Sequence, residues 1–162
     1  MAKENIKAKK GFTIIEVVLV LAIAGLIFLM VFVALPALQR SQRDTQRRDD
    51  MGRFISQLAQ YQTNNNGNVP SNYTSFISSY LKAGGDSFVD PSGAEYTVSA
   101  IDCTDESTCK LPNDTTNDYT NGTIRLYTNA TCNGESPSYS KGSRKIAITY
   151  KLEGAGVYCG HN

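Results

Sequence analysis

A single carboxylate, Glu16, stands four residues after Phe12 in the run "KKGFTIIEVV" (9–18), at the leading edge of a long apolar stretch. An acid at the centre of a spanning helix costs ~2.5–3.5 kcal/mol on insertion scales, and less toward the end. Glu16 therefore either reaches the interface or meets a cation at its own depth. If the chain is cut after Gly11, Phe12 acquires an α-amino group of reference pKa about 7.7–8.0, mostly protonated at neutral pH. Glu16 then lies one helical turn from that amine. The amine of an adjacent copy offers the same charge. A carboxylate–ammonium contact between copies fixes a register that apolar contacts do not, because lipid competes equally for those.

The other reactive side chains are Cys103, Cys109, Cys132 and Cys159. An even cysteine count in a polar, loop-rich region points to disulfides formed outside a reducing cytosol. Zinc is the competing reading, but it wants paired ligands at short spacing, and these cysteines are not so arranged. Of the three connectivities, sequence-adjacent pairing (Cys103–Cys109 and Cys132–Cys159) is preferred. His161 is the single histidine and is expected in a frayed tail rather than as a general base. No phosphate-binding loop, zincin or nucleophile-elbow motif appears, so no catalytic set and no cofactor is expected. Asp102, Asp105 and Glu106 fit no EF-hand spacing and read as a solvated acidic loop. Asn72, Asn113, Asn121 and Asn129 start Asn-x-Thr matches that read as exposed polar loops. Arg125, Lys141, Arg144, Lys145 and Lys151 read as an ordinary sheet face, since phosphate affinity needs a clustered array. The net charge of +1 gives no global case for a nucleic-acid partner.

The element that positions Glu16 is the run from Val17 to Leu38, which carries no charge. Its 22 residues reach about 33 Å as a helix, against a bilayer core of about 30 Å. A cleaved secretory signal would be shorter and end in small residues, whereas "PALQRSQRDTQRR" follows Leu35. The segment is therefore retained as a membrane helix. Basic residues flank both ends, so the cysteines decide the orientation: C-terminal part outside, N-terminus in the cytoplasm.

"KKGFTIIEVVLVLAIAGLI" resembles the class III signal of type IV pilins and of the related pseudopilins of type II secretion. The resemblance covers roughly residues 9–36, and "LAQYQTNNNGNVP" (58–70) is similar to the helix end and loop of such proteins. It implies that a prepilin peptidase cuts after Gly11 and methylates Phe12, and that Glu16 is the assembly glutamate. It also implies a helix that melts in the filament between Gly25 and Pro36; from the residues alone, Pro36, which lacks an N–H and crowds the Phe32 carbonyl, gives a kink or local loosening, and a mildly kinked helix is the alternative.

Beyond the membrane, Met51, Phe54, Ile55, Leu58 and Tyr61 lay an apolar stripe on a helix. "QRSQRDTQRRDD" (39–50) has no apolar residue and predicts a solvated helical bridge. A helix from Phe12 to about Thr63 is expected, stopped by "NNNGN" and Pro70. A short helix is expected at 73–81 and strands at 94–101, 123–128, 145–152 and 156–159. The fold class is α+β, a long N-terminal helix packed on a C-terminal antiparallel sheet. The chain thus divides into a leader (1–11), a transmembrane or filament-core helix (12–38), its amphipathic continuation (39–63), a connecting loop (64–93) and a disulfide-bearing sheet (94–162).

These readings converge on a non-enzymatic pilin. It sits as a single-pass protein in the cytoplasmic membrane and then polymerises into an extracellular type IV pilus. The implied partners are further copies of itself, prepilin peptidase, an assembly ATPase and a platform protein. A type II secretion pseudopilin is the first alternative, and a monomeric signal-anchored binding protein is the second.

Overall fold

The computed structural model describes residues 11–112, 122–142, 144–154 and 156–162. Asn113 and Asn121 lie outside these residues. The chain forms two compact units, Met1–Gln39 and Arg40–Asn162.

In the first unit the structure describes the start of helix α1 (Ile14–Asn64), which crosses into the second. Its large apolar side chains from Phe12 to Leu38 are exposed. Among the described residues it is the one helix long and apolar enough to cross a membrane. Helical assignment continues through Gly25 and Pro36.

In the second unit, α1 from Arg40 onward packs on a sheet. Met51, Phe54 and Leu58 of the expected stripe are buried, while Ile55 and Tyr61 are half-buried. The stripe also reaches back through Asp44, Arg47 and Asp50, all buried. Residues 39–50 are therefore not a solvated bridge: their charged face continues the apolar one at the same three-residue step. The helix stops where Asn66 and Gly67 take left-handed backbone angles (φ 56° and 85°). The Gly67 N–H then returns to the Gln62 carbonyl at 2.7 Å, satisfying one orphan carbonyl of the last turn.

Asn72 caps α2 (Tyr73–Phe76) by accepting the Ser75 N–H, and α2 runs into a π-turn, Ile77–Leu81. Six strands follow: β1 (Thr97–Asp102), β2 (Thr123–Thr128), β3 (Ala130–Asn133), β4 (Ser136–Tyr139), β5 (Ile146–Lys151) and β6 (Val157–His161). The main sheet has the order β1-β2-β5-β6. Its β2–β5 and β5–β6 pairs are antiparallel, but β1 joins β2 in parallel, Thr97 opposite Thr123. The antiparallel-rich sheet thus has one parallel edge, which the long connection from Cys103 to Gly122 permits, since parallel neighbours need about a dozen residues or more between them. Gly122 makes that edge possible. Its φ is 89°, and a Cβ there would stand 2.7 Å from the Glu95 carbonyl oxygen.

Side chains alternate across each strand. Val98, Ile124, Leu126, Ile146, Ile148 and Tyr150 face α1, joining Met51, Phe54, Leu58, Phe76 and Phe88. Tyr127 and Ala147 point to the opposite face. The hairpin β3–β4 covers that face together with Cys103, Cys109 and Ala130. A second small core therefore lies on the outer side of the sheet, which explains why β5 is buried at every position but its last.

Candidate functional site

Phe12 and Thr13 precede the first turn of α1, and the local sequence Thr-x-x-Glu writes a reciprocal cap. The Thr13 N–H and hydroxyl both donate to Glu16 Oε2 at 2.8 Å, and the Glu16 N–H approaches Thr13 Oγ1 at 3.4 Å. Among the described residues Oε1 accepts no hydrogen bond. Phe12 is 90% exposed. Phe12, Glu16, Val17, Val20 and Leu21 line a surface cavity.

 The cavity at Glu16 measures about 460 Å³, and Glu16 is the only charged group lining it. The arrangement is thus a lone carboxylate on an otherwise apolar, exposed helix face, with one oxygen held by Thr13 and the other open.

The second unit holds a cluster that the sequence reading missed. Arg47, 2% exposed, donates Nε and one Nη to the two oxygens of Asp90 at 2.7 and 3.0 Å. Its remaining bonds go to Asp44 and Glu153, both at 2.9 Å. Arg43 also grips Glu153. The Glu153 and Gly154 N–H groups donate to the two oxygens of Asp44, tying the β5–β6 turn to α1. Tyr150 donates to Asp90 at 2.6 Å, and Tyr96 donates to Asp50 at 3.1 Å. Burial alone would raise the Asp90 carboxyl, but the hydrogen bonds from Arg47, Ser92 and Tyr150 override it and hold the group far below the usual carboxylate range. The same contest, won by the Glu153 and Gly154 N–H groups and Arg47, lowers Asp44. Arg43 and Arg47 lower Glu153. A signal was present in the sequence: Asp44, Arg47 and Asp50 extend the three-residue step of the apolar stripe.

The structure joins Cys103 to Cys109 and Cys132 to Cys159. The first closes a loop on itself, and the second ties β3 to β6. Asp102, Asp105 and Glu106 do not converge. Asp105 accepts from Ser107 and Thr108, Glu106 from the Tyr139 N–H, and Asp102 from Thr128 and Asn129. Among the described residues no three metal-ligating side chains gather. His161 is not a frayed tail: it is exposed but paired with Ala147 as the last residue of β6. Asn129 is not an exposed loop either. It is half-buried in a left-handed turn (φ 52°), with its amide bonded to Asp102 and Gly142. Arg125 is buried on the outer face of β2, so it does not share a surface with Lys141, Arg144 and Lys145.

The chain thus joins a helix long and apolar enough to cross a membrane to an α+β unit. Residues 6–32 match the family model described as the prokaryotic N-terminal methylation motif. That match, spanning Gly11, Phe12 and Glu16, supports a type IV pilin-like or pseudopilin-like prepilin with a class III signal. Comparison with curated proteins and with solved structures gives no match.

Proposed function

We propose that the chain is a pilin, a structural subunit that polymerises into a type IV pilus. Residues 1–11 are the leader, cut by prepilin peptidase between Gly11 and Phe12, and Phe12 is then N-methylated. The helix 12–38 waits in the cytoplasmic membrane and passes into the filament core, loosening between Gly25 and Pro36. The remainder (39–63, 64–93 and 94–162) forms the extracellular filament surface. A separate ATPase and platform protein drive extraction.

The observation that carries this reading is the half-used carboxylate of Glu16. Its Oε2 is occupied by Thr13, while Oε1 has no partner among the described residues. Cleavage after Gly11 leaves the Phe12–Thr13 amide, and so the cap, intact, and creates an ammonium group beside it. The open oxygen then receives the amine of a neighbouring copy.

N-terminal mass spectrometry on sheared surface fibres tests the processing: a peptide beginning with N-methylated Phe12 is expected. Glu16→Gln separates capping from charge, because glutamine also serves in this cap. Glu16→Gln and Glu16→Ala are both expected to be cleaved yet to yield few or no fibres. Normal fibre yield from Glu16→Gln refutes the charge pairing.

A further inference from the structure

The buried cluster on α1 holds four carboxylates, Asp44, Asp50, Asp90 and Glu153, against the guanidinium groups of Arg43 and Arg47. Three of the four carboxylates contact those guanidinium groups. Asp50, 7% exposed, does not: its described partner is the Tyr96 hydroxyl. Arg53, one turn further along α1, points away to the Leu81 carbonyl and Asp86. Asp49 on the same helix and Asp90 across from it add negative charge, and Tyr150 is committed to Asp90. We propose that Asp50 is a proton-binding switch in the fold, taking up a proton as the medium is acidified and thereby tightening α1 against the Tyr96 side of the sheet.

The chemistry follows from what each form can bond. Ionised, Asp50 is a buried charge with one neutral donor, a costly state. Protonated, it keeps a carbonyl oxygen to accept the Tyr96 O–H and loses the repulsion from Asp49 and Asp90. Burial accordingly raises its affinity for the proton, with Tyr96 and Arg53 opposing. The sign is opposite for Asp44, Asp90 and Glu153, whose carboxyls are lowered. Their stabilisation is present above the ordinary carboxylate range and is lost as pH falls through their folded values. That of Asp50 is present in acid and is lost as pH rises through its own. The two contributions therefore change in opposite directions with pH. This inference does not rest on the polymer reading.

Thermal unfolding of the full chain in detergent micelles, followed by near-UV circular dichroism of the tyrosines, tests it. The wild-type midpoint is expected to rise as pH is lowered from 8 toward the ordinary carboxylate value of about 3.9. Asp50→Asn, which keeps an acceptor for Tyr96, is expected to start higher at pH 8 and to lose that rise. An unchanged pH slope in Asp50→Asn, or a lower midpoint at pH 8, overturns the proposal. Should that variant fail to fold, carboxyl ¹³C titration of Asp50 in the wild type decides: an inflection above the ordinary value of about 3.9 supports the switch, and one at or below it overturns it.

Discussion

Replacing Arg47 with methionine keeps much of the aliphatic volume and removes one cation from the centre of the α1 cluster. Asp90, whose side chain is 0% exposed, loses both guanidinium bonds and retains its bonds from Ser92 and the Tyr150 hydroxyl. Asp44 and Glu153 each lose one bond, but keep two N–H groups and Arg43 respectively. The penalty therefore concentrates on Asp90. Removing one partner of a buried pair costs about 3–5 kcal/mol, which in a unit of this size lowers the midpoint by about 10–20 °C. Arg47→Met/Asp90→Asn restores neutrality while leaving an acceptor for Tyr150, and should recover at least half of that loss. Near-UV circular dichroism of the full chain in micelles is the suitable assay, because the first unit stays helical and masks the far-UV signal. A single-variant loss below about 1 kcal/mol, or no recovery in the double variant, refutes the assignment of Arg47 as the cluster's organiser.

Two further outcomes follow from the sheet. Replacing Cys132 and Cys159 with serine opens a closure of sequence separation 27, against 6 for Cys103–Cys109. Chain-entropy reasoning gives losses of about 3–4 and about 2 kcal/mol respectively, so urea midpoints should fall further for the first pair. Gly160→Ala on β6 places a Cβ 2.5 Å from Ile55 Cδ1 and 2.6 Å from Tyr158 Oη. Both atoms end half-buried side chains that can turn aside, so a loss no larger than about 1 kcal/mol is expected, measured by the same unfolding curves; a loss above about 3 kcal/mol contradicts that freedom of Ile55 and Tyr158.

The periodic parts of the fold were legible because burial there is apolar. Met51, Phe54 and Leu58 mark the core face of α1, and the expected strand at 123–128 coincides with β2. The cluster was hidden because Asp44, Arg47 and Asp50 are charged types that usually face water, and their partners Asp90 and Glu153 are distant in sequence. The β3–β4 hairpin was hidden by short, polar strands and by Pro137, although Asn133-Gly134 is a turn signal at its tip. The parallel edge was not legible at all, since alternation specifies a strand's faces and not its direction. At the N-terminal site the residue types were readable, but the division of labour between the two oxygens of Glu16 needed the geometry of Thr13.

Neither disulfide touches α1: one closes a loop on itself, and the other fastens the hairpin to β6. A pull applied along α1 within the second unit is therefore borne by non-covalent contacts alone. It arrives first at Arg43, Asp44 and Arg47, where ion pairs and two backbone bonds to the β5–β6 turn resist it in shear. The covalent cross-links protect the outer layer, while the helix anchorage depends on these charges and, behind them, on the apolar packing of Met51, Phe54 and Leu58.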